Sequence, residues 1–237
     1  MGKIKNNHLK VPHNIAIVLD GNRRFAKKLG LNALKGHEFG LKKLGDLFKW
    51  CRELGIKELT LYTFSTENFN RAKREIDYLF GLFRNEVEKI KKEEGIFKEG
   101  IKFNFIGRVD MFPKAMKNSM LEIMAKTKKY NKLIVNFAMA YGGRQEIVDA
   151  FRKAIKNSKK LKPSDINESL ITQNLYLQSE PDLVIRPGGE IRTSNFLMWQ
   201  SAYSEWVFVK KLWPEFTKKD LIKCVQEFNK RERRFGE

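Results

Sequence analysis

Short apolar runs alternate along this chain with longer stretches whose apolar residues recur every three or four positions. Residues 15–19 form a compact apolar run that ends at Asp20, as expected of a strand buried on both faces. Residues 59–64, 101–106 and 133–138 read as further strands, and residues 183–185 and 206–209 as two short ones. Between them, residues 39–54 carry Leu41, Leu44, Leu47, Phe48 and Cys51 at helical spacing and stop at Gly55. Residues 76–90, 142–155 and 217–233 show the same helical period. Strand and helix alternate without an internal repeat or a linker-like segment. The expected architecture is therefore α/β: a single domain over residues 1–237, with a mostly parallel central sheet flanked by helices. Such sheets bind ligands beyond the carboxyl ends of their strands, which directs attention to the polar segments that follow strands.

Composition narrows the partners. The chain has 237 residues, 42% hydrophobic and 32% charged, enough for one sizeable core and unlike a disordered chain. No stretch approaches the roughly 18 apolar residues of a membrane-spanning helix. Residues 1–11 are expected to be flexible, and the polar, basic start lacks the apolar centre of a signal peptide. Cys51 and Cys224 form no metal-type cluster and read as thiols in a reducing compartment, so a cytoplasmic location is expected. The net charge of +19 fits nucleic acid, an anionic membrane surface or small polyanionic substrates. Most of the 47 basic residues read as solvated surface. Several arginines instead lie beside glycines after strands, where a bidentate donor meets phosphate.

Three such segments stand out. In the first, Asp20-Gly21-Asn22-Arg23-Arg24-Phe25, a strand delivers a carboxylate, glycine permits a tight turn, and two arginines lead into a helix. Helix-start N–H groups and arginines favour phosphate. Asp20 suits phosphate only if a hard cation such as magnesium bridges them. An ordinary Asp-Gly turn is the alternative. The second, residues 64–71, gathers Ser65, Thr66, Glu67, Asn68 and Arg71 around Phe64 and Phe69. A helix cap explains Ser65 or Thr66 but not Asn68 with Arg71. The third, residues 182–196, holds Arg186, Gly188, Gly189, Arg192, Thr193 and Ser194, the composition of a second anion-binding nest. Downstream, Glu205 is another candidate metal ligand, while Trp199 and Tyr203 read as core packing at helical spacing. His37, a lone histidine, follows the first loop by about one helix.

Taken in order, these segments resemble the cis-prenyltransferases of the undecaprenyl diphosphate synthase type. The resemblance runs from Pro12-His13 to the terminal Arg234-Phe235-Gly236 and includes residues 136–144, with Tyr141-Gly142-Gly143-Arg144. It implies a sheet-and-helix fold that encloses a hydrophobic tunnel, a homodimer, and a magnesium-dependent reaction. An allylic diphosphate, farnesyl or geranylgeranyl, would be lengthened by isopentenyl diphosphate into a long polyprenyl diphosphate such as undecaprenyl diphosphate, precursor of a glycosyl carrier lipid. By the same resemblance Asp20 holds magnesium, with Glu205 completing that site. Gly21, Asn22, Arg23 and Arg24 cradle the allylic diphosphate, helped by His37 and Arg71. Phe25, Ser65, Thr66, Glu67, Phe69 and Thr193 join the substrate-binding set. Arg186, Arg192 and Ser194 take the diphosphate of isopentenyl diphosphate. Leu133 lies near the tunnel floor and sets chain length, and residues 229–237 reach toward the partner subunit.

The departures are specific. Phe25 and Phe69 stand where many bacterial members carry Trp, Leu19 replaces Met, and Ala33 replaces a polar or basic residue. Pro187 replaces the usual Thr after Arg186, which removes a hydroxyl and a backbone donor. The Asn-Arg-Arg-Phe form is closer to archaeal members, some of which use longer primers.

Asp20 and Asn68 are the candidate catalytic residues. A neutral amide is a very weak base, so Asn68 reads as an orienting hydrogen-bond partner, and the departing diphosphate or Asp20 is the better proton acceptor. A haloacid-dehalogenase-like phosphatase would need an acid at position 22, which is Asn22. A nucleic-acid-binding protein leaves the Arg–Gly clustering after strands unexplained, so nucleic acid is not an expected partner. A catalytically silent subunit conflicts with Asp20, Asn22, Arg24 and the terminal Arg-x-Gly together. Peripheral contact with the inner face of a membrane remains open for the basic surface.

Overall fold

The computed structural model describes residues 10–92, 99–158 and 161–231. Most of the leader expected to be flexible, and the terminal Arg234-Phe235-Gly236, lie outside the described residues. Residues 10 and 11 are described. Lys10 N–H donates to Asn229 Oδ1 at 2.8 Å, Asn229 Nδ2 returns a bond to Lys10 O at 2.7 Å, and Val11 packs on the core.

Six strands form one sheet in the order β3-β4-β2-β1-β5-β6. They are β1 (Asn14–Val18), β2 (Glu58–Ser65), β3 (Ile101–Ile106), β4 (Leu133–Tyr141), β5 (Leu183–Pro187) and β6 (Glu205–Val209). Every pairing is parallel. The described α-helices are α1 (Asn22–Lys28), α2 (Lys35–Leu54), α3 (Lys73–Lys92), α4 (Lys114–Thr127), α5 (Gly143–Asn157), α6 (Glu168–Asn174) and α7 (Lys218–Lys230). The sequence pattern predicts α2, α3, α5 and α7 with shifted ends; α7 stops three residues short of the expected Arg233.

The two-residue period of the strands divides the core. Ile15, Ile17, Leu59, Leu61, Phe137, Met139, Leu183 and Ile185 face one side and pack with α2, α3, α4 and α7. Ala16, Val18, Tyr62, Ala138 and Val184 face the other, against Leu177, Phe196 and Leu197. Trp213 is fully buried and donates its indole N–H to Gly40 O at 3.0 Å, which ties the segment after β6 to α2.

Close approach of backbones fixes the site end of the sheet. A Cβ on Gly36 would fall 1.9 Å from Asn22 O, and one on Gly40 would fall 2.3 Å from Asn22 Oδ1. These two glycines let α2 lie directly against the start of α1. On β2 the pairing register with β4 shifts between Tyr62 and Ser65, an irregularity that bends a strand and re-aims side chains. It delivers residues 65–71 to the same end.

Trp199 and Tyr203 are not on a helix, contrary to their spacing. Ser194, Asn195 and Leu197 have φ of 51°, 62° and 46°, which breaks any helical run before them. Trp199 is half-buried beside α6, where it donates to Thr172 Oγ1 at 3.1 Å. Tyr203 is 69% exposed rather than core.

Candidate active site

β1 and β5 are neighbours in the sheet, so their carboxyl ends bring Asp20 and Arg186 together. Asp20 Oδ2 accepts from Arg186 Nη2 at 2.9 Å, and Asp20 Oδ1 from Arg24 Nη2 at 3.1 Å. Arg24 Nη1 continues to Glu190 Oε1 at 3.3 Å, and Glu190 Oε2 to Arg192 Nη1 at 2.7 Å. The result is a chain of alternating charge, Arg186–Asp20–Arg24–Glu190–Arg192, joining the first and third polar segments. Arg186 also donates to Ser194 Oγ at 2.7 Å and to the carbonyl of Arg192. Gly188, at φ 105°, lets this loop close: a Cβ there would meet Arg24 Nη2 at 2.9 Å. The two donors after Pro187 are both satisfied: Gly188 N–H donates to Lys211 O at 2.7 Å and Gly189 N–H to Val209 O at 2.9 Å.

The second segment adds a further basic cluster. Glu75 Oε1 lies 2.8 Å from Arg71, 3.7 Å from Arg23 and 4.0 Å from His37 Nε2. Burial, and then the neighbouring Arg71, push the His37 pKa down to about 4 against the pull of Glu75. His37 is therefore neutral at pH 7. The unfolded chain takes up this proton first as pH falls, so stability present above about pH 6.5 is lost toward pH 4. The urea midpoint of the wild-type protein is expected to fall more between pH 7.5 and 5 than that of His37→Gln; equal losses would mean another group is responsible.

Ser65 and Asn68 cap the short turn between them. Asn68 Oδ1 accepts from Ser65 N–H at 3.0 Å, which fixes the orientation of this amide. Burial opposes ionisation of Glu67, but hydrogen bonds from its own N–H, Ser65, Thr66 and Asn195 outweigh it and hold its carboxyl below the usual range. Tyr62 stacks on Phe196 with centroids 4.5 Å apart, and burial raises its phenol pKa.

These groups rim a cavity of about 640 Å³. Asp20, Asn22, His37, Ser65, Glu67, Asn68, Arg71, Arg186, Arg192 and Ser194 form its polar end. Beside it, Asp20, Gly21, Asn22, Arg23, Arg24, Lys27, His37 and Arg71 line a recess of about 330 Å³. Leu41, Thr63 and Phe83 form part of the large cavity's wall and also line an apolar cavity of about 460 Å³ with Phe48, Val87, Phe103, Phe105 and Phe137. Asn22 Oδ1, His37 Nε2 and Arg186 Nε are buried without partners at the polar end. Unpaired buried polar atoms around a cleft mark where a ligand's own groups complete the bonding.

Several expected site residues do not themselves line the cavities. Phe25 packs edge-on against Phe39 at 5.3 Å, and Phe69 joins Phe64, Phe80 and Phe112. Thr66 and Thr193 are not among the cavity-lining residues. Leu133 is fully buried on the face of β4 that carries Phe137 and Met139, but in packed core outside the cavity lining. Glu205 requires a correction. Parallel register sets Glu205 beside Leu183 and Ile17 beside Ile185. Asp20 is then five residues further along the sheet, roughly 16 Å at about 3.3 Å per residue. Glu205 pairs instead with Arg231 at 2.8 Å. Within one chain the two carboxylates do not meet at one ion. Among the described residues no three acidic, His or Cys side chains form a metal cluster. Lys27, Asn195 and Leu41 were not anticipated; Lys27 is one helical turn beyond Arg23 and could have been found by that spacing.

The site thus has two cationic nests over an apolar cavity, and a family model described as "Putative undecaprenyl diphosphate synthase" matches residues 18–236. The chain belongs to the undecaprenyl diphosphate synthase family. It is a cis-prenyltransferase, which elongates an allylic diphosphate with isopentenyl diphosphate. A tritrans,polycis-undecaprenyl-diphosphate synthase (geranylgeranyl-diphosphate specific) of Thermococcus kodakarensis is 45% identical over 99% of this chain and 89% of its own length. An isoprenyl transferase of Thermotoga maritima is 44% identical over 96% of the chain and 98% of its own. The crystal structure of lavandulyl diphosphate synthase from Lavandula x intermedia with dimethylallyl diphosphate superposes with a TM-score of 0.87 at 33% identity, covering 96% of this chain and 99% of that one. Among the described residues of the cis-prenyltransferase, no helix is long and apolar enough to cross a membrane.

Proposed function

We propose that the enzyme uses geranylgeranyl diphosphate as primer and makes an undecaprenyl-length product. The observation that carries this reading is the meeting of a cationic rim with an adjoining apolar cavity, which gives a primer's tail somewhere to lie. Relatives named as geranylgeranyl-diphosphate specific are 45% and 46% identical to the chain, which supports the longer primer.

In this reading Arg23, Arg24, Lys27, His37 and Arg71 hold the allylic diphosphate, with Gly21 and Asn22 offering close backbone approach. Arg186, Arg192 and Ser194 hold isopentenyl diphosphate. The bond from the allylic carbon to diphosphate breaks, and its electrons leave with the diphosphate. The terminal alkene carbon of isopentenyl diphosphate bonds to that allylic carbon, and a proton is lost as the new cis double bond forms. The arginines stabilise the charge that develops on the departing group. Asn68 orients the reacting pair, and the departing diphosphate or Asp20 takes the proton.

Magnesium fits the donor set, since this ion commonly takes one carboxylate plus substrate phosphate oxygens, and Asp20 is the carboxylate at the junction of the nests. When bound it would neutralise diphosphate charge. A homodimer and peripheral contact with anionic lipid, through the +19 charge, belong to the same proposal.

The test is incubation with labelled isopentenyl diphosphate, magnesium and either farnesyl or geranylgeranyl diphosphate, followed by product mass. Faster consumption of geranylgeranyl diphosphate is expected. Equal or better use of farnesyl diphosphate would overturn the primer assignment.

A further inference from the structure

Asn195 directly follows Ser194 of the second nest and lines the large cavity together with Glu67 and Asn68. Its backbone is left-handed, with φ of 62°, a conformation that asparagine adopts more readily than most residues. Two bonds tie it to the start of α5. Gly143 N–H donates to Asn195 O at 2.7 Å, and Arg144 N–H donates to Asn195 Oδ1 at 2.9 Å. The amide nitrogen turns to other partners. Asn195 Nδ2 donates to Gln145 Oε1 at 2.9 Å and to Glu67 Oε1 at 3.4 Å. Gly142 leaves room for this arrangement: a Cβ there would lie 2.7 Å from Asn195 Nδ2 and 2.3 Å from Gln145 Oε1.

A primary amide offers an acceptor oxygen and two N–H donors, and both ends of this one are engaged. Capping the N–H groups of α5 requires only the oxygen, which an aspartate would supply with a favourable charge. The nitrogen is what crosses to the second polar segment. Glu67 belongs to the turn that also carries Asn68, and that turn leads directly to Arg71 of the allylic nest. Asp20 joins the two nests at one point, through Arg24 and Arg186. Asn195 joins the second nest to the allylic side at another. Tyr62 supports the same loop from the cavity wall, where its hydroxyl donates to Ser194 O at 3.4 Å.

We infer that Asn195 is a positioning residue, whose amide locks the isopentenyl diphosphate nest against the turn of Glu67 and Asn68 and so holds the two substrates in line. The inference rests on the elongation reading above and names a further residue that serves it.

Asn195→Asp separates the two ends of the amide. It keeps an oxygen for Arg144 N–H and loses the donations to Gln145 and Glu67. Tm is expected to stay at or above the wild-type value. The single-turnover rate of the first condensation, with both substrates saturating, is expected to fall about 10–10²-fold, as when reacting groups are held slightly out of line. Asn195→Gly removes the amide without adding charge and accepts the left-handed backbone; the same fall in rate is expected. Asn167→Ala is the control. Asn167 caps α6 by accepting from Leu170 N–H at 2.9 Å and lines none of the three cavities described above. Its loss should lower Tm and leave the rate alone.

Rates are measured with labelled isopentenyl diphosphate, geranylgeranyl diphosphate and magnesium, and Tm is recorded for each variant. A slow Asn195→Asp beside a wild-type rate in Asn195→Gly would assign the effect to the added charge and overturn the inference. Wild-type rates in both variants, or a fall confined to an Asn195→Gly of lowered Tm, would leave Asn195 as a cap of α5 and overturn it as well. So would an equal fall in Asn167→Ala. A wild-type enzyme that makes no polyprenyl product overturns the elongation reading and this inference with it. Normal wild-type elongation beside any of the preceding results overturns this inference alone.

Discussion

Asp20→Asn is expected to lower the rate of condensation by about 10²–10³-fold, the cost of removing one preorganised electrostatic group from such a site. The carboxylate holds two arginines from opposite nests, Arg24 at 3.1 Å and Arg186 at 2.9 Å. Asparagine keeps the shape and loses the charge, so the guanidiniums no longer share a fixed anion. Arg186, with a side chain only 4% exposed, is left with its charge uncompensated. Because the Asp20 side chain is 26% exposed, water relieves part of that cost, and the stability loss should be about 1–3 kcal/mol rather than the full penalty of a buried broken pair. Single-turnover kinetics with saturating substrates separate the rate effect from binding, and thermal melting reports the fold. A near-wild-type single-turnover rate would mean that the arginines are positioned by Glu190 and Ser194 alone.

The strands were legible in two ways: residues 15–19 are the short unbroken apolar run of a strand buried on both faces, whereas Ile101–Ile106, at the edge of the sheet, alternate apolar residues with Lys102 and Asn104. Helix α4 was not anticipated, although Met116, Met120, Ile123 and Thr127 form a buried stripe at spacings of four and three. Lys114, Lys117 and Lys126 break up its apolar appearance. The segment around Trp199 misled in the opposite sense. Its aromatic spacing is helical, but left-handed residues at Ser194, Asn195 and Leu197 organise it as successive turns, and nothing in their side chains announces that conformation.

For the site, residue chemistry was legible and distance was not. Strand, glycine and arginine together marked both nests. That the nests share Asp20 depends on β1 lying beside β5, more than 160 residues apart, and no local pattern carries strand order. The same gap explains Glu205. A carboxylate near a strand looks like a ligand, but Glu205 begins β6 while Asp20 follows the end of β1, and in a parallel sheet those are opposite edges. Leu133 illustrates the point within one strand: it shares a face with Phe137 and Met139, yet only these two reach the cavity.

Arg186→Lys is expected to be nearly as damaging as loss of Asp20, although it preserves the charge. Three donations converge from the guanidinium, to Asp20, to Ser194 Oγ and to the carbonyl of Arg192. Its Nε is buried without a partner and is free to meet a diphosphate oxygen. A lysine ammonium is a single point on a flexible stem and cannot span these directions at once. The loop it holds is already in sparsely populated backbone conformations, with φ of 51° at Ser194 and 62° at Asn195, and such conformations persist only where surrounding contacts over-determine them. With the fork removed, Ser194 and Arg192 lose their anchor, and the isopentenyl diphosphate nest opens. The expected result is a fall in kcat/KM for isopentenyl diphosphate of about 10²–10³-fold, with KM for that substrate rising more than KM for the allylic primer. Steady-state kinetics with each substrate varied in turn provide the check. Equal rises in both KM values would mean that Arg186 serves the shared Asp20 junction rather than one nest. An unaltered KM would show that one positive charge at this position is sufficient and the fork is dispensable.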